Sequence, residues 1–372
     1  MISIYHVRGM CRATRCLHAF APLAIATAAV SAACFPLRAC PSLPERPASL
    51  QQVGVRVGDE WLHNALLHED VRLGFVTDIK RRMTGELAIV GTRAAAFLPP
   101  GEGTPRLVPF REPAGFAQLL DQPDGPPRYL DRGGGGWQTG ACIGENGARL
   151  WQPESDAGMD DLAAGDLDGD GGLEFVAGYN GGGGVRLFDA AGKRRWRQDD
   201  GNVWHVEIVD TNGDGKPEIV HSNAAGEVTV RDANGSALSR VHTEGYFSGF
   251  SVVQWPPQKT SLLHTGDGVT RIIGFDGAVR ARLETPDTSF LGDARGAAAR
   301  FDGREYLALA VSQPNWDRTQ LLVFDHSNVL RYREVVAAGT VAIAAPDSEA
   351  FLFGCGPRVL RYTVRSRVQT RP

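Results

Sequence analysis

Two stretches decide the fold: AAGDLDGDGGLEFVAGYNGGGGVRLFDAAGKRRW, residues 163–196, and EIVDTNGDGKPEIVHSNAAGEVTVRDANGSAL, residues 207–238. Their first loop acids, Asp166 and Asp210, stand 44 residues apart. Each reads as a short apolar strand, an acidic Gly-rich loop, an apolar strand, a turn and an alternating strand. An Asp-Ala-x-Gly turn then leads into a fourth strand. A period in this range with four strands per unit is the signature of a β-propeller.

Working outward, fainter copies flank these two. Loop positions fall near 78, 121, 166, 210, 254, 299 and 344, which makes seven units. Seven units of about 44 residues need about 308, and Val53 to Val364 supplies 312. The expected fold is all-β: seven blades of four antiparallel strands. The last unit lacks a fourth strand, and Val53–Val57 alternates with no other place to go. It is assigned as the outer strand of the last blade, closing the ring and removing two open edges. The Gly runs 133–136 and 181–184 lack the Gly-Lys-Ser/Thr ending of a phosphate loop and read as turns.

The chemistry lies in the loops. Asp166, Asp168, Asp170 and Glu174 occupy positions 1, 3, 5 and 9, and Asp210, Asn212, Asp214 and Glu218 repeat them. Gly at position 6 permits the bend. The carbonyls of Gly172 and Lys216 at position 7 would add a ligand. Calcium takes six to eight oxygens in a flexible shell, and these loops supply such a set. Position 12 holds Ala177 or His221, so neither loop is an EF-hand, which needs Glu there. Two Ca2+ sites are expected, the first tighter on charge alone. In the first unit Asp78 and Glu86 keep positions 1 and 9, but Lys80 and Arg82 stand at 3 and 5. Those bases are expected to pair with the two acids and exclude an ion.

The motifs at 166–178 and 210–220 resemble the FG-GAP or VCBS-repeat propellers, the superfamily that includes the amino-terminal propeller of integrin α subunits. Two loops match; the other five units depart from the pattern. The resemblance implies a seven-bladed ring with calcium between the first and second strands of each matching blade. It implies no single activity, since related propellers serve adhesion, lectin-like binding and polysaccharide cleavage.

The face opposite the loops is expected to carry Tyr179, Asn180, Trp204, His205, Tyr246, Phe247, Asn315 and Trp316. Aromatics beside amides and His suit a glycan or peptide ligand. No His-Glu-x-x-His or Gly-x-Ser-x-Gly motif is present, so a binding module is favoured over an enzyme. The alternative is a carbohydrate-active lyase or glycosidase, for which Asp160 or Asp161 could meet Glu207 near the axis.

Composition sets the remaining bounds. A net charge of −4 gives no general attraction for nucleic acid or anionic membrane. Residues 1–33 have Arg8, Arg12 and Arg15 before an apolar stretch, as a signal peptide does. Pro22 and the many Ala residues argue against the alternative, a membrane anchor. Cys34 and Cys40 each end an imperfect lipoprotein box and are candidates for a lipid anchor. Residues 34–50 read as a Pro-rich linker and 51–372 as the propeller. An extracytoplasmic monomer at the bacterial envelope is expected. Cys142 and Cys355 are the two cysteines of the body, and export would permit them to pair.

Overall fold

The computed structural model describes residues 53–366 save 58–59, 123–124, 134–139, 154–156, 224, 243–248, 256–258, 267, 286–293, 302, 314–316, 337–338, 340–341 and 348–349. The proposed leader, both candidate lipid-anchor cysteines and the linker lie outside these residues. The described residues fold as a seven-bladed β-propeller: six four-stranded antiparallel sheets and one five-stranded sheet. Among them the one helical segment is a 3-10 turn, Val71–Leu73.

Blades are numbered from the chain's first complete sheet. Blade 1 opens with the innermost strand Val76–Arg81, blade 2 with Ala117–Leu120 and blade 3 with Met159–Gly165. Blade 4 opens with Val206–Val209, blade 5 with Ser251–Gln254, blade 6 with Ala294–Phe301 and blade 7 with Ile343–Ala344. These inner strands end close to the loop positions read from the repeat.

A sheet of this kind cannot bury two apolar faces alone. The middle strands show the consequence: Glu174–Tyr179, Gly184–Phe188, Glu218–Ser222 and Val228–Arg231 are buried at every residue. The outer strand Arg194–Gln198 is largely exposed. The apolar core is correspondingly divided. Seven clusters form, each between two neighbouring blades. One joins Leu352 and Val359 of blade 7 to Val76 and Ile89 of blade 1, so the ring closes through packing as well as pairing.

Ring closure differs from the sequence expectation in one respect. Blade 7 is ordered Val53–Val57, Glu60–Glu69, Arg358–Ser366, Phe351–Cys355, Ile343–Ala344. Its fourth strand is therefore Glu60–Glu69, paired with Arg358–Ser366 from Glu60 against Ser366 to Glu69 against Arg358. Val53–Val57 is a fifth strand outside it. The longer strand wins the inner place because it satisfies more of the exposed ladder of Arg358–Ser366.

The Asp-Ala-x-Gly turns also serve as contacts between blades. Gly192 in blade 3 has φ +80°, and a Cβ there would lie 1.8 Å from Nε1 of Trp151 on blade 2. One blade on, Trp196 donates from Nε1 to the Ala233 carbonyl at 2.9 Å. Each turn thus receives an indole from the preceding blade's outer strand. Replacing Gly192 by Ala forces both an unfavourable backbone and a displaced indole, whereas Gly303 (φ +76°) has open space around it. Gly303→Ala is expected to cost about 1 kcal/mol. Gly192→Ala should cost about 1–3 kcal/mol more, read as the difference in urea midpoints of the two variants.

Candidate functional site

The two acidic loops join first and second strands in blades 3 and 4. They share one hydrogen-bond plan. Asp166 accepts from the N–H groups of Gly169 (2.7 Å) and Gly171 (3.0 Å). Asp210 accepts from those of Gly213 (2.6 Å) and Gly215 (2.8 Å). Glu174 accepts from Leu167 N–H at 3.0 Å, and Glu218 from Thr211 N–H at 2.9 Å. Gly172 and Lys216 donate their N–H groups to Asp170 and Asp214, at 2.6 and 2.8 Å. These backbone donors hold Asp210 below the usual carboxylate range, Gly215 and Gly213 foremost.

In the blade 3 loop, oxygens of Asp166, Asp168 and Glu174 lie within 4.8 Å of one another. Two oxygens bound to one calcium at about 2.4 Å can stand no more than about 4.8 Å apart, so this donor set fits the ion. A side-chain cation is already there. Arg195, from the outer strand of the same blade, places Nη1 2.9 Å from Asp168 Oδ2 and Nη2 3.2 Å from Glu174 Oε1. In the blade 4 loop a neutral amide has that place: Asn212 Nδ2 donates to Asp214 Oδ2 (3.1 Å) and Glu218 Oε1 (3.3 Å).

Blade 1 departs from its expectation in part. Arg82 pairs with Glu86 at 2.8 Å, as expected, but its second partner is Asp121 of the next blade, at 3.0 Å. Asp78 instead accepts the Leu119 N–H at 2.8 Å. Burial pushes its carboxyl up. The acid at position 1 thus ties blade 1 to blade 2, with Lys80 acting on it only through its charge.

A second constellation spans the inner parts of blades 2, 3 and 4. Arg132 follows the second strand of blade 2 and makes a fork to both oxygens of Asp161, at 2.9 and 2.7 Å. It also donates to Glu207 Oε1 at 3.0 Å and to the Val206 carbonyl at 2.7 Å. His205 Nδ1 lies 2.6 Å from Asp161 Oδ2. Its Nε2 is 3.3 Å from Glu207 Oε1, near enough for an ion pair but poorly aligned for a hydrogen bond. The ring meets Phe250 of blade 5 edge-on at 4.5 Å. Asp161 and Glu207 therefore do come together, bridged by an Arg and a His. Nothing in the sequence pattern pointed to Arg132, because its partners lie 29 and 75 residues away.

The other residues expected on that face separate. Tyr179 is wholly buried in the cluster between blades 2 and 3 and stacks under the Arg186 guanidinium at 4.0 Å. Its ring packs between the blades and faces no solvent. Asn180 starts the turn into the third strand, with its N–H on the Gly158 carbonyl. Trp204 is half-buried beside the buried His205. Tyr246, Phe247, Asn315 and Trp316 lie outside the described residues. Cys142 and Cys355 are buried in blades 2 and 7 and form no disulfide with each other, so the pairing that export would permit is not formed. A cavity of about 510 Å³ opens along the inner strands of blades 5 to 7, between Val252, Gln254, Gly296, Ala298, Arg300 and Ala345. Small side chains on Ala294–Phe301 leave that space.

Among solved structures the chain is similar to a streptogramin B lyase, with a TM-score of 0.60 and 9% identity over 84% of this chain and all of that one. It is similar also to virginiamycin B lyase of Staphylococcus aureus solved with quinupristin, at TM-score 0.59 and 11% identity over 81% and 99% of the two chains. A third likeness is to BBS1N in complex with ARL6DN, at TM-score 0.54 and 11% identity over 85% and 98%. At such identities the likeness defines the fold class, a propeller, and nothing finer. No protein-family model and no curated protein matches the sequence.

The inner cluster makes stability pH-dependent. Burial alone would favour neutral groups, but Arg132 and His205 outweigh it, holding Asp161 below the usual range and Glu207 at about 2. Asp161 and Glu207 in turn raise His205 above its ordinary 6.5 despite burial. The carboxylate contribution is present above their unfolded values near 4 and lost as pH falls toward 2. The His205 contribution is complete below pH 6.5 and lost as pH rises through its folded value. Urea midpoints should therefore fall as pH rises beyond 6.5, and His205→Gln should remove that slope. An unchanged slope would mean that His205 is neutral in the folded cluster.

Proposed function

We propose that this chain is an exported calcium-binding propeller of the FG-GAP or VCBS kind, a module that binds a protein or glycan partner at the bacterial envelope. The observation that carries the calcium reading is the shared plan of two loops 44 residues apart. Each holds oxygen side chains at positions 1, 3, 5 and 9 on a backbone bent at two glycines. Gly169 and Gly171 have φ +77° and +84°, and Gly213 and Gly215 have +84° and +83°. Asp166, Asp168, Asp170 and Glu174 would hold one ion, and Asp210, Asn212, Asp214 and Glu218 the other. Calcium supplies charge compensation there, and the loops in turn stiffen one face of the ring. Thr260 of blade 5 already donates to the Asp210 carbonyl at 2.9 Å, so order in that loop is passed to the next blade.

Partner binding is supported by the scaffold: BBS1N, a propeller by likeness of fold, is known in complex with ARL6DN. The basic, apolar leader at 1–33 supports export, and Cys34 or Cys40 would carry a lipid if one is attached. Calorimetric calcium titration tests the metal sites. Asp166→Ala and Asp210→Ala should each abolish one of two sites; full uptake by both variants would overturn the assignment.

A second reading, an acid–base enzyme, is favoured by one observation, the convergence of Asp161, His205 and Glu207. Turnover of an envelope polysaccharide that disappears in His205→Ala, with calcium uptake intact, would support it over a pure binding role.

A further inference from the structure

We propose that Arg195 is a tethered cation that competes with the divalent ion for the blade 3 loop, so that the loop with more carboxylates is the weaker site. The proposal rests on the calcium reading above and concerns what regulates those same loops.

Its basis is a comparison of three blades. Arg195 reaches the loop from the outer strand, one residue past the register pair Phe188 and Arg194. Its two nitrogens take two different carboxylates, those at positions 3 and 9. Both belong to the group of three whose oxygens converge. A guanidinium is a fixed planar fork, so it bridges two acids at little further entropic cost. Asp189 adds a third negative charge nearby.

Blade 4 has the same hairpin and the same irregularity of register, with Arg231 paired to Ala237. The next residue there, in the place of Arg195, is Leu238, which is 57% exposed. Among the described residues no basic side chain makes an ion pair with Asp210, Asp214 or Glu218. Blade 1 is the opposite extreme. Arg82 stands inside the loop itself, is buried, and is held by two acids. The series runs from a fixed internal cation, through a displaceable one, to none.

Exposure sets the middle case apart. The Arg195 side chain is 39% exposed, and so is free to return to water when a divalent ion arrives. Glu174 is only 1% exposed and needs a counter-charge in either state. The guanidinium therefore keeps the loop closed without calcium and must be displaced by it. Charge counting alone ranks the four-carboxylate loop first; the competing cation reverses the order.

The test isolates each loop. In an Asp210→Ala background, calcium binding to the blade 3 loop is titrated by calorimetry with Arg195 present and with Arg195→Leu, which copies blade 4. The dissociation constant is expected to fall about tenfold on losing a competing pair of this kind. In an Asp166→Ala background, Leu238→Arg is expected to weaken the blade 4 loop by a similar factor. Calcium-free Arg195→Leu should also melt below the parent, with calcium restoring the difference. Equal affinities with and without Arg195 would overturn the inference while leaving two calcium sites in place. Absence of calcium binding in both single-loop backgrounds would overturn the calcium reading and this inference together. Should Arg195→Leu fail to fold, the Leu238→Arg titration decides alone: unchanged affinity there would overturn the proposal.

Discussion

Radial burial is the constraint on which the molecule depends. No blade owns a core. Each of seven apolar clusters is made by two blades, so each sheet is stable only because both neighbours cover it. Removing water from apolar faces stabilises the assembly by roughly 25 cal/mol per Å², and a ring is the arrangement that leaves no sheet with an open face. Closure at blade 7 follows from the same need. Strand Glu60–Glu69 must return from the other end of the chain to complete the sheet that covers blades 6 and 1.

Polar groups then have to be placed where packing permits. Side chains near the axis tie neighbours together: Thr77 on the inner strand of blade 1 donates to the Ala117 carbonyl at 2.6 Å, and Thr265 on the second strand of blade 5 accepts the Ala294 N–H at 3.2 Å. The charged cluster of Arg132, Asp161, His205 and Glu207 is such a tie, linking three blades. Buried charges of this kind are tolerated because each finds an opposite charge. The cluster fixes the relative setting of blades 2, 3 and 4, two of which carry the acidic loops.

Those loops show how one repeat unit is tuned by a single neighbouring residue. The backbone plan is the same in blades 3 and 4, and the acids at positions 1 and 9 persist in blade 1. What differs is the source of positive charge: Arg82 from within, Arg195 from across the hairpin, Leu238 with none to offer. Repetition supplies the frame, and a residue within the loop in blade 1 or on the outer strand in blades 3 and 4 sets which charge faces the acids.

The sequence by itself determined the repeat, the number of blades and the two loops, because these depend on local alternation and on a spacing that recurs every 44 residues. It also brought Asp161 and Glu207 into one neighbourhood, since both start inner strands of adjacent units. Tertiary structure alone decided which N-terminal strand seals blade 7, for two alternating segments compete for one edge and pairing length separates them. It alone placed Tyr179 inside the ring and Cys142 and Cys355 in separate blades, not bonded to each other. Arg132 and Arg195 were illegible for the same reason: a long flexible side chain finds its acids through space, and no periodic pattern records where it ends.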